Sequence, residues 1–309
     1  MRRVFGIGET ILDIIFRNDQ PHQAIPGGSV FNGLISLGRL NVPVSFISEV
    51  GNDRVGDIIL NFMEDNHVCS ELVNRFPDGK SPVSLAFLDD KKNADYIFYK
   101  DYASQHLDVP LPDIHEDDIL IFGSYFSVNP VLRDRVTDFL QLAKDRKAII
   151  YYDPNFRKTH AHEAIRLMPT VLENLEFADI VRGSDEDFMY LFGKTDTQEI
   201  YKEHIQFYCD RFITTHGANG VNLFTRNYTK HFDSFSIEPV STIGAGDSFN
   251  AGILYGLLKY DIRYADLPTL SEEQWEKIIR CGMDLASEVC QSYDNYISKE
   301  FAANYDSQS

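Results

Sequence analysis

One short segment near the carboxyl end of the chain has residue types that could bind an anion and move a proton. Gly244, Ala245 and Gly246 precede Asp247, and an apolar run with helical character follows at residues 249–258. Small residues leave backbone N–H groups accessible at the start of a helix, where the helix dipole also favours negative charge. The segment therefore predicts an anion site with a carboxylate beside it.

The position of Asp247 allows two interpretations. At the turn into a helix, its carboxylate could cap an amide of the first helical turn. It could instead accept a proton from a hydroxyl group while the neighbouring amides hold a phosphoryl group in line for transfer. The Walker pattern G-x-x-x-x-G-K-[ST] is absent from the sequence, so a phosphoryl-transfer site here would not be that of a P-loop enzyme.

A second segment, near the amino end, has the chemistry of a site for a polyhydroxylated ligand. Gly27 and Gly28 would let the backbone approach a ligand closely, and Asn32 offers donors and acceptors to vicinal hydroxyl groups. The alternative for these residues is a tight turn that leads into a helix. Asp13 could accept hydrogen bonds from two hydroxyl groups, or it could be a solvated carboxylate on an exposed strand.

Two further segments place polar side chains directly after apolar strands, where open α/β sheets bind their ligands. Arg157 would lie at the carboxyl end of a strand, within reach of substrate or phosphate, whereas Asp153 could cap the same turn. Ser184 begins a helical segment as its expected N-cap, and Asp187 lies in the first turn of that helix.

These segments resemble the signatures of a known enzyme family. Residues 241–247, STIGAGD, resemble the D-T-x-G-A-G-D signature of the ribokinase-like, or PfkB, carbohydrate kinases. Residues 27–32, GGSVFN, are similar to the G-G-x-x-x-N signature of the same family. Further matches follow in the order of the family at residues 8–13, 49–56, 153–157, 184–187 and 215–220. The resemblance spans residues 4–292.

The resemblance implies a role for each matching residue. Asp247 would be the catalytic base, and the backbone amides of Gly244, Ala245 and Gly246 would form the anion hole. The residues that would bind the sugar are Asp13, Gly27, Gly28, Asn32 and Arg157. The residues that would bind the nucleotide are Ser184, Thr215, Gly217 and Gly220.

The resemblance also implies ATP and Mg²⁺ as cofactors. Asp187 takes the fourth position of the family's N-x-x-E motif and would hold Mg²⁺ through water, although Asp is one methylene shorter than Glu. Ser184 replaces the Asn of that motif, a form similar to the fructokinase-like branch. Ser241 stands where the family usually has Asp, beside a loop that binds a potassium-type ion in many members. This departure counts against potassium activation.

Within the family, the sequence favours an ATP-dependent kinase that phosphorylates a hydroxymethyl group of a free monosaccharide. Relatives that act on phosphorylated sugars usually have Lys in the G-G-x-x-x-N segment, which holds Ser29 and Val30 here. Fructose is the expected substrate. The alternatives are ribose, a nucleoside and 2-keto-3-deoxygluconate. For the last of these, Lys100 could be a cationic partner. Outside the enzymes, the alternative is a sensor that binds sugar and nucleotide without turnover.

The composition limits the classes of partner. The chain has 309 residues, with 29 Lys and Arg against 47 Asp and Glu, and its formal net charge of −18 disfavours nucleic acid and anionic membranes. No stretch approaches the roughly 18 to 20 apolar residues of a membrane span. The sequence therefore predicts a cytoplasmic protein. The cysteines, which follow no metal-binding or disulfide pattern, are expected to fill the core as thiols: Cys69, Cys209, Cys281 and Cys290.

The elements that must position these residues are predicted from short apolar runs that alternate with segments of helical period. Buried strands are predicted at residues 3–8, 44–48, 119–123, 148–153, 179–181 and 212–215. Helices are predicted at residues 30–40, 133–145, 162–176, 185–191, 197–209 and 249–258. This alternation predicts an α/β fold with a mostly parallel sheet and helices on both faces, which is the three-layer α/β/α architecture of ribokinase-like proteins.

Two extended segments, at residues 11–23 and 82–99, have no helix between their arms and predict a small separate sheet. A hairpin turn is expected at residues 89–93. Over the carboxyl ends of the main strands this sheet would form a lid, and its edges could pair between two chains as a homodimer. Residues 1–309 are expected to form a single kinase domain with a frayed tail after residue 301.

Overall fold

The computed structural model of the protein describes residues 1–88, 94–101 and 106–305, and the predicted turn at residues 89–93 lies outside these ranges. The strands are β1 (Val4–Ile7), β2 (Ile11–Arg17), β3 (Gln20–Gly27), β4 (Val44–Gly51), β5 (Val68–Cys69), β6 (Val73–Phe76), β7 (Lys80–Leu88), β8 (Ala94–Asp101), β9 (Ile119–Gly123), β10 (Ile149–Asp153), β11 (Ile180–Ser184), β12 (Phe212–Thr215), β13 (Val221–Phe224) and β14 (Thr229–Phe232). The helices are α1 (Ser29–Arg39), α2 (Arg54–Glu64), α3 (Arg133–Asp145), α4 (Ala164–Phe177), α5 (Asp185–Phe192), α6 (Thr197–Ile200), α7 (Ala245–Lys259), α8 (Glu272–Val289) and α9 (Lys299–Tyr305).

The large sheet has the strand order β14-β13-β12-β11-β10-β9-β1-β4-β5, and β6 also pairs with β4. The neighbours from β5 to β12 are parallel, and β6 is parallel to β4. The pairs β12-β13 and β13-β14, at one edge, are antiparallel. All six predicted strands are members of the parallel part, so the prediction of a mostly parallel sheet is confirmed.

The central strands send alternate side chains into two apolar cores, one on each face of the sheet. Ile119 and Ile121 pack in the core that includes α1, α2, α7, α8 and α9. Leu120 and Phe122 pack in the core that includes α3, α4, α5 and α6. Helices therefore cover both faces of the sheet, which confirms the three-layer α/β/α fold. Three of the cysteines are buried and the fourth is half-buried, and all are free thiols: Cys209, Cys281, Cys290 and Cys69.

The small sheet has the order β3-β2-β7-β8 and is separate from the large one, as predicted. Strand β2 begins four residues after the end of β1, so this sheet grows from the carboxyl ends of the large sheet. Ser81 at the start of β7 donates a hydrogen bond of 2.8 Å to Asp53, just after β4, and Asp53 in turn caps α2 through the amide of Gly56. The lid is therefore tied to the edge at which ligands of α/β sheets bind.

Three parts of the helix prediction were wrong. Residues 302–305 of the tail that was expected to be frayed are helical, because α9 continues to Tyr305, whose ring stacks on Phe301 with centroids 5.0 Å apart, and residues 306–309 lie outside the described ranges. Helix α7 begins four residues earlier than predicted, at Ala245. The predicted helix over residues 197–209 is short, since α6 passes into one π-helical turn, Tyr201–Ile205. In the part of the chain that the structure describes, no helix has the length and apolar character to cross a membrane.

Candidate active site

Asp247 lies in the first turn of α7, and Gly244 is the N-cap of that helix. Gly244 has a φ of 78°, and a Cβ atom there would overlap the carbonyl oxygen of Asn295, so the position requires glycine. Among the described residues the carboxylate of Asp247 caps no amide of its own helix. Its Oδ2 accepts a hydrogen bond of 2.8 Å from Nδ2 of Asn32 in α1. The capping interpretation of Asp247 is therefore excluded.

The predicted sugar-binding residues of the amino-terminal half come together at the junction of β3 and α1. A Cβ atom on Gly27 would lie 2.9 Å from Oδ2 of Asp13 and 3.9 Å from Oδ1 of Asn32. Gly28 has a φ of 135°, and a Cβ atom there would overlap the carbonyl oxygen of Glu9. Oδ1 of Asn32 is buried and has no hydrogen-bond partner in the described chain. A buried acceptor without a partner is costly, and a ligand hydroxyl group could satisfy it.

The two carboxyl groups of this region have raised pKa values. Burial raises the pKa of Asp247 to about 6, against the hydrogen bond from Asn32 and the positive charge of Arg157, which both lower it. Burial likewise raises the pKa of Asp13 to about 6, against the hydrogen bond that it accepts from the hydroxyl of Ser84 and the charge of Lys100. Both groups are mostly ionised at pH 7 and are better proton acceptors than an exposed carboxylate.

Arg157 lies in the turn after β10, at the carboxyl end of the sheet, as predicted. It is exposed, and its side chain makes no hydrogen bond or ion pair with the rest of the described chain, although its carbonyl accepts a hydrogen bond of 2.9 Å from the amide of His160. The positive charge of Arg157 nevertheless lowers the pKa of Asp247. The capping interpretation of Asp153 holds, because its Oδ1 accepts a hydrogen bond of 3.0 Å from the amide of Asn155.

The amides at the start of α7 are available as donors, as an anion hole requires. The amide of Ala245 has a weak bond of 3.3 Å to the carbonyl of Thr242. For the amides of Gly246 and Asp247, the described backbone bonds provide no acceptor, because amides of a first helical turn have no partner within the helix. The free donors of this turn are therefore the amides of Gly246 and Asp247.

Arg182 is a member of this site that the sequence analysis missed. Its side chain is only 4% exposed, and its Nη1 and Nη2 each lie 3.1 Å from the position that a Cβ of Gly246 would take. Nη1 donates a hydrogen bond of 3.0 Å to Asp153, and Nη2 donates one of 2.7 Å to Thr215. Burial lowers the pKa of Arg182, but Asp153 and other nearby groups outweigh burial and raise it. A fixed positive charge therefore lies under the helix terminus, and an arginine in an otherwise apolar strand was its signal in the sequence.

The predicted nucleotide-binding residues lie at the carboxyl ends of two neighbouring strands, β11 and β12, where Ser184 is paired in register with Thr215. Gly217 and Gly220 follow β12 with positive φ values of 54° and 87°. Thr215 is already engaged, because its hydroxyl accepts the hydrogen bond from Arg182. The structure thus brings these four residues to the edge of the sheet that also holds the start of α7.

Asp187 fits the predicted magnesium role only through water. Its Oδ2 accepts hydrogen bonds of 2.7 Å from both the amide and the hydroxyl of Ser184, and its own amide donates one of 3.2 Å to the Ser184 hydroxyl oxygen. The two bonds that involve backbone amides form a capping box, as expected for an N-cap serine. Burial and the negative charge of Asp153 raise the pKa of Asp187. The described residues contain no cluster of three or more metal-ligating side chains. One carboxylate with water fits Mg²⁺, which keeps much of its hydration shell in sites that also hold phosphates.

A lid residue reaches the same site from above. Nζ of Lys100 in β8 lies 3.1 Å from Oε2 of Glu9, the residue that follows the end of β1 by two positions. The lysine is about one third exposed, so the pair is partly shielded from water. Much of the positive charge that Lys100 could offer to an anionic substrate is therefore already neutralised by Glu9.

The sequence matches one family of known proteins, described as pfkB family carbohydrate kinase, over residues 1–301. The chain belongs to this family. A fructokinase of Vibrio alginolyticus is 24% identical over 262 residues, which cover 84% of this chain and 85% of that protein.

Solved structures of pfkB kinases have the same fold. A fructokinase double mutant from Vibrio cholerae O395, with fructose, ADP and potassium ion bound, has a TM-score of 0.83 at 22% identity, over 96% of this chain and 94% of that one. An aminoimidazole riboside kinase from Salmonella enterica, complexed with aminoimidazole riboside and an ATP analogue, has a TM-score of 0.82 at 18% identity, over 99% of both chains.

Membership confirms the family that the sequence motifs predicted, and fructokinases among the relatives support its fructokinase-like branch. The fold is the ribokinase-like α/β fold with a small separate sheet. As a pfkB carbohydrate kinase, the protein is a phosphotransferase that has an alcohol group as acceptor.

Proposed function

We propose that this pfkB kinase transfers the γ-phosphoryl group of ATP to a hydroxymethyl group of free fructose, with Asp247 as the catalytic base. The observation that carries the proposal is the hydrogen bond of 2.8 Å between Asn32 and Asp247, which are 215 residues apart in the chain. It joins the motif suited to sugar hydroxyl groups to the motif suited to phosphate. A hydroxyl group bound at the first motif would therefore lie next to the carboxylate of the second.

In phosphoryl transfer, different residues of this site would accept the proton, bind the phosphoryl group and hold the metal ion. Asp247 would take the hydroxyl proton late in the transfer, because an alcohol is too weak an acid to lose it earlier. The amides of Gly246 and Asp247 would donate to oxygens of the moving phosphoryl group, with Arg182 as a fixed charge beneath them. When bound, Mg²⁺ neutralises charge on the phosphates, and Asp187 would hold it through water.

The nucleotide would lie along the carboxyl ends of β11 and β12. Ser184, Thr215, Gly217 and Gly220 lie at this edge, and Gly217, with no atom within 4 Å of the position of its missing Cβ, leaves the backbone open to close approach. The phosphates of ATP would then point towards the start of α7, where the helix dipole and the free amides favour negative charge.

The charges at the mouth of the site favour a neutral sugar over a sugar acid or a sugar phosphate. Glu9 neutralises Lys100 across 3.1 Å, and Asp13 adds a carboxylate that can accept hydrogen bonds from hydroxyl groups. The G-G-x-x-x-N segment contains no lysine that could meet a second phosphate. Among neutral sugars we put fructose first, because fructokinases of Vibrio alginolyticus and Escherichia coli are among the relatives of this chain.

The test is ADP release from MgATP with a panel of acceptors: fructose, ribose, 2-keto-3-deoxygluconate, adenosine and fructose 6-phosphate. Turnover confined to fructose is the expected result, and the same assay with Asp247→Asn should be nearly silent. Turnover on another acceptor would change the proposed substrate but leave the proposed role of Asp247 in place. Binding of sugar and ATP with no turnover on any acceptor would favour a sensor and overturn the proposal.

The same assay, run in potassium chloride and in sodium chloride, tests whether the protein depends on potassium although Ser241 stands where the family signature usually has Asp. We expect equal rates in the two salts, because a serine side chain carries no charge to hold a cation at this loop.

A further inference from the structure

Asn295 lies at a point where the sugar motif and the phosphate motif meet, although neither motif contains it. It belongs to the loop between α8 and α9. Its backbone carbonyl packs against the Cα of Gly244, the N-cap of α7, where a Cβ atom would overlap it. Its side-chain Nδ2 lies 3.6 Å from the position that a Cβ of Gly27 would take. A single residue of this loop therefore touches the glycine of each motif.

Three polar side-chain atoms surround the position that a Cβ of Gly27 would take, and Gly27 itself is buried. Oδ2 of Asp13, Nδ2 of Asn295 and Oδ1 of Asn32 lie 2.9, 3.6 and 3.9 Å from the position of its missing Cβ. The first and the third atoms are acceptors, and Oδ1 of Asn32 is buried without a partner in the described chain. The amide of Asn295 provides donors on the same side.

Such an arrangement matches the hydrogen-bonding capacity of a hydroxyl group. A hydroxyl group donates one hydrogen bond and accepts up to two, whereas a carboxylate such as Asp13 only accepts. A polyol that lies on Gly27 could donate to Asp13 or to Asn32 and accept from Asn295. The side-chain amide of Asn295 makes no hydrogen bond with any described residue, so its donors are available to such a ligand.

We propose that Asn295 is a specificity-determining residue of the sugar site, and that its side-chain amide donates a hydrogen bond to a hydroxyl group of the substrate. The inference rests on the proposed function, since it assigns the third polar contact of the same sugar site. The sequence motifs place Arg157 and residues of the amino-terminal half in the sugar site. The proposal adds to them a residue from the loop between α8 and α9.

The loop is held in place by contacts that do not involve the side chain of Asn295. The amide of Ile297 donates a hydrogen bond of 3.3 Å to Ser36, and Nη1 of Arg39 donates one of 2.6 Å to the carbonyl of Ile297. The guanidinium group of Arg39 also lies 4.6 Å from the centre of the Tyr296 ring. Truncation of the Asn295 side chain should therefore leave its backbone, and the contact with Gly244, in place.

The first experiment is calorimetric titration of fructose and, separately, of ATP into the wild-type protein and Asn295→Ala. We expect the dissociation constant for fructose to rise about tenfold, as for the loss of one hydrogen bond, with that for ATP within twofold of wild type. The matched control is Gln291→Ala, since the amide of Gln291 lies on the same loop but bonds to the carbonyl of Ser287 and is exposed. Its affinity for fructose should equal that of wild type.

A set of deoxy sugars identifies the contact itself. If Asn295 donates to one hydroxyl group, the fructose analogue without that group should bind wild type and Asn295→Ala equally well, as a double-mutant cycle requires. Every other deoxy analogue should still lose about tenfold on the substitution.

The two proposals fail in different ways. Wild-type protein that binds fructose while Asn295→Ala binds it equally well would overturn the role of Asn295 alone. An equal loss of affinity for fructose and for ATP would also overturn it, because that result indicates a structural effect on the loop and Gly244. Wild-type protein that binds none of the sugars would overturn the proposed function together with this inference.

Discussion

At the scale of single residues, the site contains carboxyl groups whose burial disfavours their charged form. Asp247 has one neutral donor, Asn32, and its pKa of about 6 lies well above the 3.8 of an exposed aspartate. A buried, ionised carboxylate lowers the free energy of unfolding but is a better proton acceptor than an exposed one. Such raised pKa values are common at active sites.

Asp247→Asn should separate these two effects. We expect kcat to fall by about 10²- to 10⁴-fold, because no group remains to accept the proton. The folded pKa is raised, so the native state binds a proton more tightly than the unfolded state, and ionisation costs stability as pH rises from about 4 to 6. The variant should therefore unfold at a higher temperature than wild type at pH 7.5, by the equivalent of about 1 to 3 kcal/mol.

Thermal melts at two pH values provide the control for that prediction. Near pH 4 the wild-type carboxyl is protonated in the native state, so the difference in melting temperature between the two proteins should shrink. A variant with near-normal kcat, or one less stable than wild type at pH 7.5, would contradict the prediction.

The positive charge of Arg157 should appear in the pH profile of turnover. In wild type, kcat should rise with pH along a limb centred near 6, as Asp247 loses its proton. Arg157 lowers the pKa of Asp247, so Arg157→Gln should move this limb to higher pH. Lys158→Gln is the matched control, because Lys158 is the exposed neighbouring cation and is not among the main causes of the shift in the pKa of Asp247. An unmoved limb in Arg157→Gln would contradict the prediction.

At the scale of elements, the reactive centre is a junction between α7 and β11. Helix α7 presents free amides at its first turn, and β11 supplies Arg182 from beneath. Arg182 is in turn held by Asp153, which also accepts a hydrogen bond of 2.6 Å from Asn250 of α7. The position of the anion hole therefore depends on the packing of a helix against a buried ion pair.

Gly246→Ala tests this junction. The new methyl group would lie 3.1 Å from both terminal nitrogens of Arg182, so either the guanidinium group or the helix start must shift by a few tenths of an ångström. We expect kcat to fall about tenfold or more while the affinity for sugar stays unchanged.

Gly256→Ala is the matched control for that change. It lies in the same helix, and its added Cβ would meet Cα of Ile278 in α8 at the same distance of 3.1 Å, with no charged group nearby. This variant should lose stability in a thermal melt and keep its kcat. Equal kcat values for the two glycine variants would count against a special role for the contact with Arg182.

At the scale of the whole molecule, two sheets meet over the site. The ion pair of Lys100 and Glu9 links the lid to the carboxyl end of β1. The edge strand β8 also exposes Ile97, Phe98 and Tyr99, which is unusual for an isolated edge. A homodimer through this edge, and the single domain over residues 1–309, remain proposals.

The charge balance between the sheets should influence substrate choice. Glu9→Gln would remove the negative charge that faces Lys100 and so reduce repulsion of an anionic acceptor, and kcat/KM for 2-keto-3-deoxygluconate relative to fructose should rise by about threefold to tenfold. The change should shrink in 0.5 M salt, because a partly exposed charge is screened. Glu64→Gln, a carboxylate at the end of α2, is the control and should leave the ratio unchanged. A falling ratio in Glu9→Gln would contradict the prediction.

The sequence by itself determined what depends on short stretches of chain. Apolar runs and helical periods predicted six strands and the two-sided core, and glycines next to polar residues drew attention to the junction at Gly27 and to the turn before α7. These signals are local, because backbone conformation and periodicity act over a few residues. The fraying predicted for residues 302–305 was wrong because Tyr305 of α9 packs on the distant ring of Tyr255 in α7, with centroids 5.6 Å apart.

Only the tertiary structure decided which of these residues act together. It paired Asn32 with Asp247, put Arg182 under Gly246, brought Asn295 to Gly27 and neutralised Lys100 with Glu9. Each contact joins segments far apart in the chain, so no local pattern encodes it. The raised pKa values of Asp13 and Asp247 have the same origin, because burial depends on everything packed around a side chain and not on its neighbours in sequence.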